Sequence, residues 1–402
     1  MYKESNFKTL IILILVICLA LSFLMLPGCG KENKRTFEEW EKIEEERIKA
    51  SEKDAQYKGK VLEIISDKVE EPGSGFSTRT QVLKVLITSG PFSGEIIEVE
   101  NSSDTSSAYN ITVKKGQGIF FSPEFDNEGI ISKAYVTELV RDNYLVIIII
   151  LFIAILILVG RLKGVRSAIA LALTISAVFF IIIPLILKGA SPVAISVITG
   201  IAIIFITLFI ISGINKKTFA AIIGTSSGIL IAGIIALVFG SLASLTGFSS
   251  EEAVMLMYIP QGIDFDFKGL LFAGIILASL GAVMDIGMSI SSAMFEIVKT
   301  DPHISKKDLI SSGLNIGRDI IGTMSNTLIL VYVGSSLPLI LLFIAYKIPF
   351  IDIINKDMIA TEIIQALSGS IGLILTIPIT AVASAYFYKL GNPVSRRRKI
   401  KQ

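Results

Sequence analysis

Beyond Asn143 the chain is a succession of long apolar runs joined by short polar connections, and this pattern limits what it can fold into more than any motif does. Seven runs are separable, at residues 144–160, 167–187, 192–211, 218–244, 269–297, 316–345 and 361–388. A helix needs about 20 residues to cross the ~30 Å hydrocarbon core of a bilayer, and these runs are of that order. Backbone groups in hydrocarbon must bond within the segment, so each run reads as a helix. With 52% apolar and 18% charged residues over 402 positions, the sequence predicts an α-helical polytopic membrane protein with seven membrane helices in a bundle over 144–390.

The connections set its orientation. Arg161, Lys163 and Arg166 follow the first run, and Lys216 and Lys217 the third. Lys299, Lys306, Lys307 and Arg318 follow the fifth, and Lys389, Arg396, Arg397, Arg398, Lys399 and Lys401 the last. The alternate connections hold only Lys188, Lys268, Lys347 and Lys356. Basic residues concentrate on cytoplasmic loops, so the polar stretch 30–143 is expected outside the cytoplasm and the basic tail 391–402 inside.

At the N-terminus, Lys3 and Lys8 precede an apolar run from Leu10 to Leu26 that ends in Pro27-Gly28-Cys29-Gly30. This ending resembles the lipobox of bacterial lipoproteins, with Leu26, Gly28 and Cys29 in matching places and Pro27 departing from the usual small residue. Residues 1–29 are therefore either a cleaved lipoprotein signal, with Cys29 lipidated, or an uncleaved anchor. Residues 30–59 form a charged segment, free of Gly and Pro from Thr36 to Lys58, which reads as a solvated helical stalk. Over 60–143 the pattern changes to β-rich runs at 60–66, 81–88, 95–100, 118–122 and 130–139, punctuated by turns such as Ser89-Gly90-Pro91. Five short strands predict a small extracytoplasmic β-barrel of the OB type. Such barrels often bind oligomers, but no basic aromatic groove is visible here, which favours a packing or docking module.

Much chemistry is excluded. A net charge of +2, from 37 basic and 35 acidic residues, and the lack of a basic patch argue against a nucleic-acid partner. One histidine, His303, and two cysteines, Cys18 and Cys29, cannot make a Cys/His zinc site, which needs about four ligands. There is no phosphate loop and no dinucleotide-binding glycine pattern. No cofactor and no catalytic residue set is expected; a membrane enzyme would have only isolated carboxylates to work with.

Ionisable groups in hydrocarbon cost about 2.5–3.5 kcal/mol each on insertion scales, so their positions are informative. In the fifth run Asp285, Ser289, Ser292 and Glu296 recur at i, i+4, i+7 and i+11, on one helix face. Asn315, Asp319, Gly322 and Asn326 repeat that spacing in the sixth run. Aligning the two antiparallel helices at about 1.5 Å per residue puts Glu296 level with Asn315, and Asp285 level with Asn326. Arg318 is placed to pair with Glu296 or to snorkel to phosphate. A polar seam between the two helices is expected, with Asp285 deepest and Gly281, Gly287, Gly317 and Gly322 allowing close approach. The seam is either a solute or proton path or interhelical glue. Asp301-Pro302 should end the fifth helix, and Ser305-x-x-Asp308 should cap the sixth. Ile222-Ile223-Gly224-Thr225-Ser226-Ser227 is echoed by Ile320-Ile321-Gly322-Thr323-Met324-Ser325, which raises the prospect of a parallel repeat.

Across Gly281-Ala282-Val283-Met284-Asp285-Ile286-Gly287-Met288-Ser289-Ile290 and the stretch from Gly313 to Leu330, which holds Asn315-Ile316-Gly317-Arg318-Asp319, the sequence resembles the YibE/F family of bacterial membrane proteins. The resemblance implies a multi-span region, here about 144–390, with an extracytoplasmic segment ahead of it in a bacterial cell membrane. It implies no particular substrate. Two functions fit the residues: a secondary transporter of a small solute or ion working through Asp285, or a scaffold whose outer domain docks a cell-envelope partner.

Overall fold

The computed structural model of the chain describes residues 56–70, 77–104, 111–126, 130–258 and 265–389. Cys29, the charged segment up to residue 55 and the tail 391–402 lie outside the described residues. The chain divides near Ile149 into two units, a β-barrel and a helical region.

Five strands, β1 (Tyr57–Glu70), β2 (Thr78–Ile87), β3 (Ile96–Asp104), β4 (Gly118–Phe125) and β5 (Ile131–Leu139), close into a barrel in the order β1-β2-β3-β5-β4. Each of the five β-rich runs is a strand, and most are longer than expected. β1 starts inside the segment read as stalk, because Tyr57 is buried against the rings of Phe92 and Phe121. Pairing is antiparallel except where β3 meets β5 in parallel at Glu100 and Tyr135. Side chains two apart point the same way along a strand, so Leu83, Val85 and Ile87 of β2 and Ile119 and Phe121 of β4 fill the interior.

A polar network runs through one side of the barrel. Buried Gln81 accepts from Asn101 Nδ2 (3.0 Å) and from Val113 N–H (2.9 Å), and its Nε2 donates to the Val113 carbonyl (3.2 Å) and to Asp67 Oδ2 (3.0 Å). Arg79 grips Asp67 with two parallel bonds, Nε to Oδ1 at 2.8 Å and Nη2 to Oδ2 at 2.6 Å. The Arg79 guanidinium holds the Asp67 carboxyl below the usual carboxylate range. A carboxyl depressed on folding stabilises the folded state above its unfolded pKa, and that contribution is lost as pH falls through the folded value. The protection factors of the barrel amides, with the intrinsic pH dependence of exchange removed, should therefore fall on acidification below the ordinary carboxylate range, and less steeply in Asp67→Asn. Identical acid profiles for the two proteins would exclude this linkage.

The helical region comprises α1 (Asp142–Ala177), α2 (Ile183–Leu187), α3 (Pro192–Ser212), α4 (Lys216–Leu242), α5 (Glu251–Met255), α6 (Phe267–Thr300), α7 (Lys306–Ser335), α8 (Leu337–Ala345), α9 (Phe350–Ile354) and α10 (Asp357–Lys389). Among the described residues five segments qualify as membrane spans by length and apolarity, or six when the bent pair α7–α8 counts as one. The expectation of seven differs because 144–160 and 167–187 fall in one helical segment, Asp142–Leu187. That segment is interrupted at Arg161, whose φ of 50° and ψ of −131° are not helical. A Cβ on Gly164 would strike the Leu156 carbonyl, an approach that a continuous helix does not make. The run 316–345 is likewise divided, by a bend of 58° between α7 and α8. Pro338 stands at the start of α8, where it lacks the N–H that would continue α7.

The bundle is built around α4 and α10, with α6 packed on both and α7 packed on α10 and α6. Gly224 and Gly228 of α4 face Thr380 and Thr376 of α10, so closely that a Cβ on either glycine would overlap the threonine Oγ1. Gly372 returns the fit against Ala232. Small residues at four-residue spacing let backbones meet where lipid supplies no hydrophobic drive between helices. Thr225, Ser279 and Thr376 bond to the carbonyls of Ala221, Ile275 and Gly372 at 2.7, 2.8 and 2.8 Å, which leaves their methyl or methylene groups to pack. Tyr388 closes one end of the bundle, donating to the Ser291 carbonyl at 2.7 Å, while Ser291 Oγ donates to the Lys217 carbonyl at 2.8 Å. The echoed hexapeptides are not equivalent in packing: Gly224 is pressed on α10, whereas Gly322 has nothing within 4 Å of where a Cβ would lie.

Gly228→Leu should separate α4 from α10 and destabilise the bundle by about 3 kcal/mol or more, since overpacking alone costs about 1–3 kcal/mol. Gly322→Leu, at the open copy, should leave the melting temperature in detergent nearly unchanged. Equal effects of the two substitutions would contradict the packing described.

Candidate functional site

Four neighbours cover most of α6: α3, α4, α7 and α10. Its apolar side chains Val283, Ile286, Ile290 and Met294 are buried among them. What remains uncovered is one line along the helix, Gly274, Ala278, Gly281, Asp285 and Ser289, extended by half-buried Ser292 and exposed Glu296. Steps of three and four residues keep all of these on one face. No large apolar side chain interrupts the line. Asp285 lies at its middle, exposed, and among the described residues no hydrogen bond or ion pair reaches its carboxyl. One flank is bordered by Met288, whose sulfur accepts from Ser212 Oγ of α3 at 3.5 Å.

The polar residues of α7 turn outward in the same manner. Asn315, Arg318, Asp319, Gly322 and Asn326 are exposed, along with Thr323 and Thr327. The opposite face makes the contacts: Gly313 abuts Met294 and Gly317 abuts Ile377. Arg318 and Glu296 find partners within their own helices. Arg318 Nη1 donates to Asn315 Oδ1 at 2.9 Å, and Glu296 lies 3.6 Å from Lys299. Arg318 thus bonds to Asn315 rather than to Glu296. Among the described residues no hydrogen bond or ion pair joins the polar groups of α6 to those of α7. The two polar faces exist where periodicity places them, but they open on the bundle surface, and glycine, methionine and isoleucine form the helix contacts.

The connection between the helices follows its local chemistry. Asp301 caps the end of α6, and Ser305 opens α7 by accepting from Asp308 N–H at 3.1 Å while donating to Asp308 Oδ2 at 2.6 Å. His303 is exposed in this loop. Among the described residues no three His, Cys, Asp or Glu side chains gather as metal ligands would.

One further acid stands outside the polar patterns of the sequence. Glu362 lies about a turn and a half into α10, half-buried, beside the α7–α8 bend, and lines a cavity with Ser336, Tyr332 and Ile340. The signal was available: a carboxylate inside an apolar run, with Pro338 marking a helix break nearby. Neither stands in a repeating polar pattern.

Helices of this length and apolarity, following a small barrel in the sequence, are those of a multi-pass membrane protein. The helical region, residues 148–390, matches the YibE/F-like protein family, and the barrel, residues 56–139, matches the YibE/F family N-terminal domain. The chain belongs to the YibE/F family. No curated protein and no solved structure matches it.

Proposed function

We propose that the protein is a secondary transporter of a small solute or ion, in which the polar faces of α6 and α7 form one wall of a hydrated path and a further protein surface forms the other. The observation that carries this reading is Asp285, an unpaired and exposed carboxyl at the middle of a line of small and polar residues on a membrane-length helix. Insertion of such a group against acyl chains costs about 2.5–3.5 kcal/mol, so protein or water is the neighbour that fits. In this reading Asp285 takes up the proton or cation, with Ser289, Ser292 and Asn326 along the path. The chain reverses at Arg161 to give seven crossings, the barrel stands outside the cytoplasm and the basic C-terminus inside.

Reconstituted in proteoliposomes, wild type should move charge or protons in response to its solute. Asp285→Asn should abolish that movement, whereas Ser279→Ala, on the packed face, should preserve it. Should Asp285→Asn match wild type across a broad solute panel, transport through this face is refuted.

A second reading rests on the barrel. Ile65, Val69 and Ile96 are 49%, 56% and 54% exposed, and Ile65 and Ile96 share a surface hollow with Glu63, Lys84 and Glu98. Apolar side chains rimmed by charge suit a docking surface for a cell-envelope protein. In this reading the α6 and α7 faces are glue between proteins. Replacing Ile65 and Ile96 by Glu should then abolish copurification of the envelope partner while the helical region stays folded; undiminished copurification would rule the docking surface out.

A further inference from the structure

At the bend between α7 and α8 the backbone direction changes by 58°, and α10 passes the break with Glu362. The cavity there has a volume of about 200 Å³, and its polar side chains are Glu362, Ser336 and Tyr332 against otherwise aliphatic walls. Ser336 lines the cavity together with Glu362, whose Oε2 is buried with no hydrogen-bond partner among the described residues. A carboxylate oxygen so placed calls for a donor. A hard metal ion does not suit the site, because such ions take about six or more oxygen ligands, and among the described residues no acidic cluster stands there. An ammonium group needs one carboxylate, its hydrocarbon body suits the aliphatic walls, and an aromatic ring in the same wall adds attraction for the cation.

We infer that this cavity binds an amphiphilic ammonium ion, a primary amine carried on an apolar body, through Glu362 and Ser336. Ile363 and Leu367 line the cavity while 41% and 49% exposed, so it opens toward the apolar surface of the bundle. The amine therefore comes either from a phospholipid with an ammonium headgroup or from a free amphiphile. The site is separate from the α6 face, and its test does not depend on transport.

The experiment is calorimetric titration of the full-length protein in phosphatidylglycerol nanodiscs with n-hexylammonium, with n-hexanol as the uncharged control. Wild type should bind hexylammonium saturably and hexanol at least about tenfold more weakly, as loss of a charge-assisted hydrogen bond implies. Glu362→Gln should weaken hexylammonium by about tenfold or more on the same ground. Ile340→Phe, which fills the cavity and keeps the carboxylate, should weaken it too, and this decides the matter if Glu362→Gln does not fold. Absence of binding, equal affinity for hexanol, or no effect of either substitution overturns the assignment. Comparison of phosphatidylethanolamine with phosphatidylcholine nanodiscs, both zwitterionic, separates the sources. Weaker apparent affinity in phosphatidylethanolamine identifies the lipid headgroup as the competing occupant, and equal affinity identifies the free amine.

Discussion

The packing of α4, α6, α7 and α10 depends on the contact between α4 and α10, where Gly224, Gly228 and Gly372 allow two backbones to touch. In lipid the apolar surfaces of separate helices gain little by meeting, so association must come from van der Waals fit and from hydroxyls that need no outside partner. Both are present at this crossing: the glycines remove side-chain bulk, and Thr376 bonds to its own helix. α6 then fits the pair by the same device, with Gly287 against Thr225. Once that face of α6 is committed, the line through Asp285 has only the outside to turn to.

This gives the polar faces their meaning. In water an exposed aspartate or asparagine is unremarked, but α6 is a membrane-length helix, where an outward carboxyl is costly. α7 shows the same conflict along much of its length. It reaches the hydropathy of a span only in combination with α8, since Arg318, Asp319, Asn315 and Asn326 dilute its apolar content. Large apolar side chains from Tyr144 to Phe152 on α1 are equally exposed, as lipid allows. The two kinds of surface on one chain separate what lipid can cover from what it cannot. That contrast favours a further protein surface over α6 and α7, whichever of the two proposed functions it serves.

The barrel meets the same demand differently. Its buried Gln81 and Asn101 bond to each other and to the backbone of the 111–113 segment, so that these two amides are satisfied inside the barrel, while the Thr137 hydroxyl is left without a partner among the described residues. In the helices, backbone bonds are intrahelical and it is the side chains that are left over: the unpartnered Oε2 of Glu362 at a helix break and Asp285 on an open face. Those leftovers are where ligand or partner chemistry has been proposed.

The sequence alone determined the two-part organisation, because period-two alternation around Leu83, Val85 and Ile87 and runs of helical length after Asn143 are local properties that need no tertiary information. It likewise showed that Asp285, Ser289, Ser292 and Glu296 share a face, and that Ser305 and Asp308 begin a helix, since spacing and capping are set within a turn or two. Which way that face turns was decided only in three dimensions. Gly281, Gly287, Gly317 and Gly322 look alike in sequence, yet Gly287 and Gly317 are pressed on Thr225 and Ile377 while Gly281 and Gly322 are open. In a chain where nearly every other position is apolar, hydrophobic patterning carries no information about inside and outside, and the choice falls to shape: the glycines that found a matching bulge on a neighbour became contacts, and the polar line was left facing out.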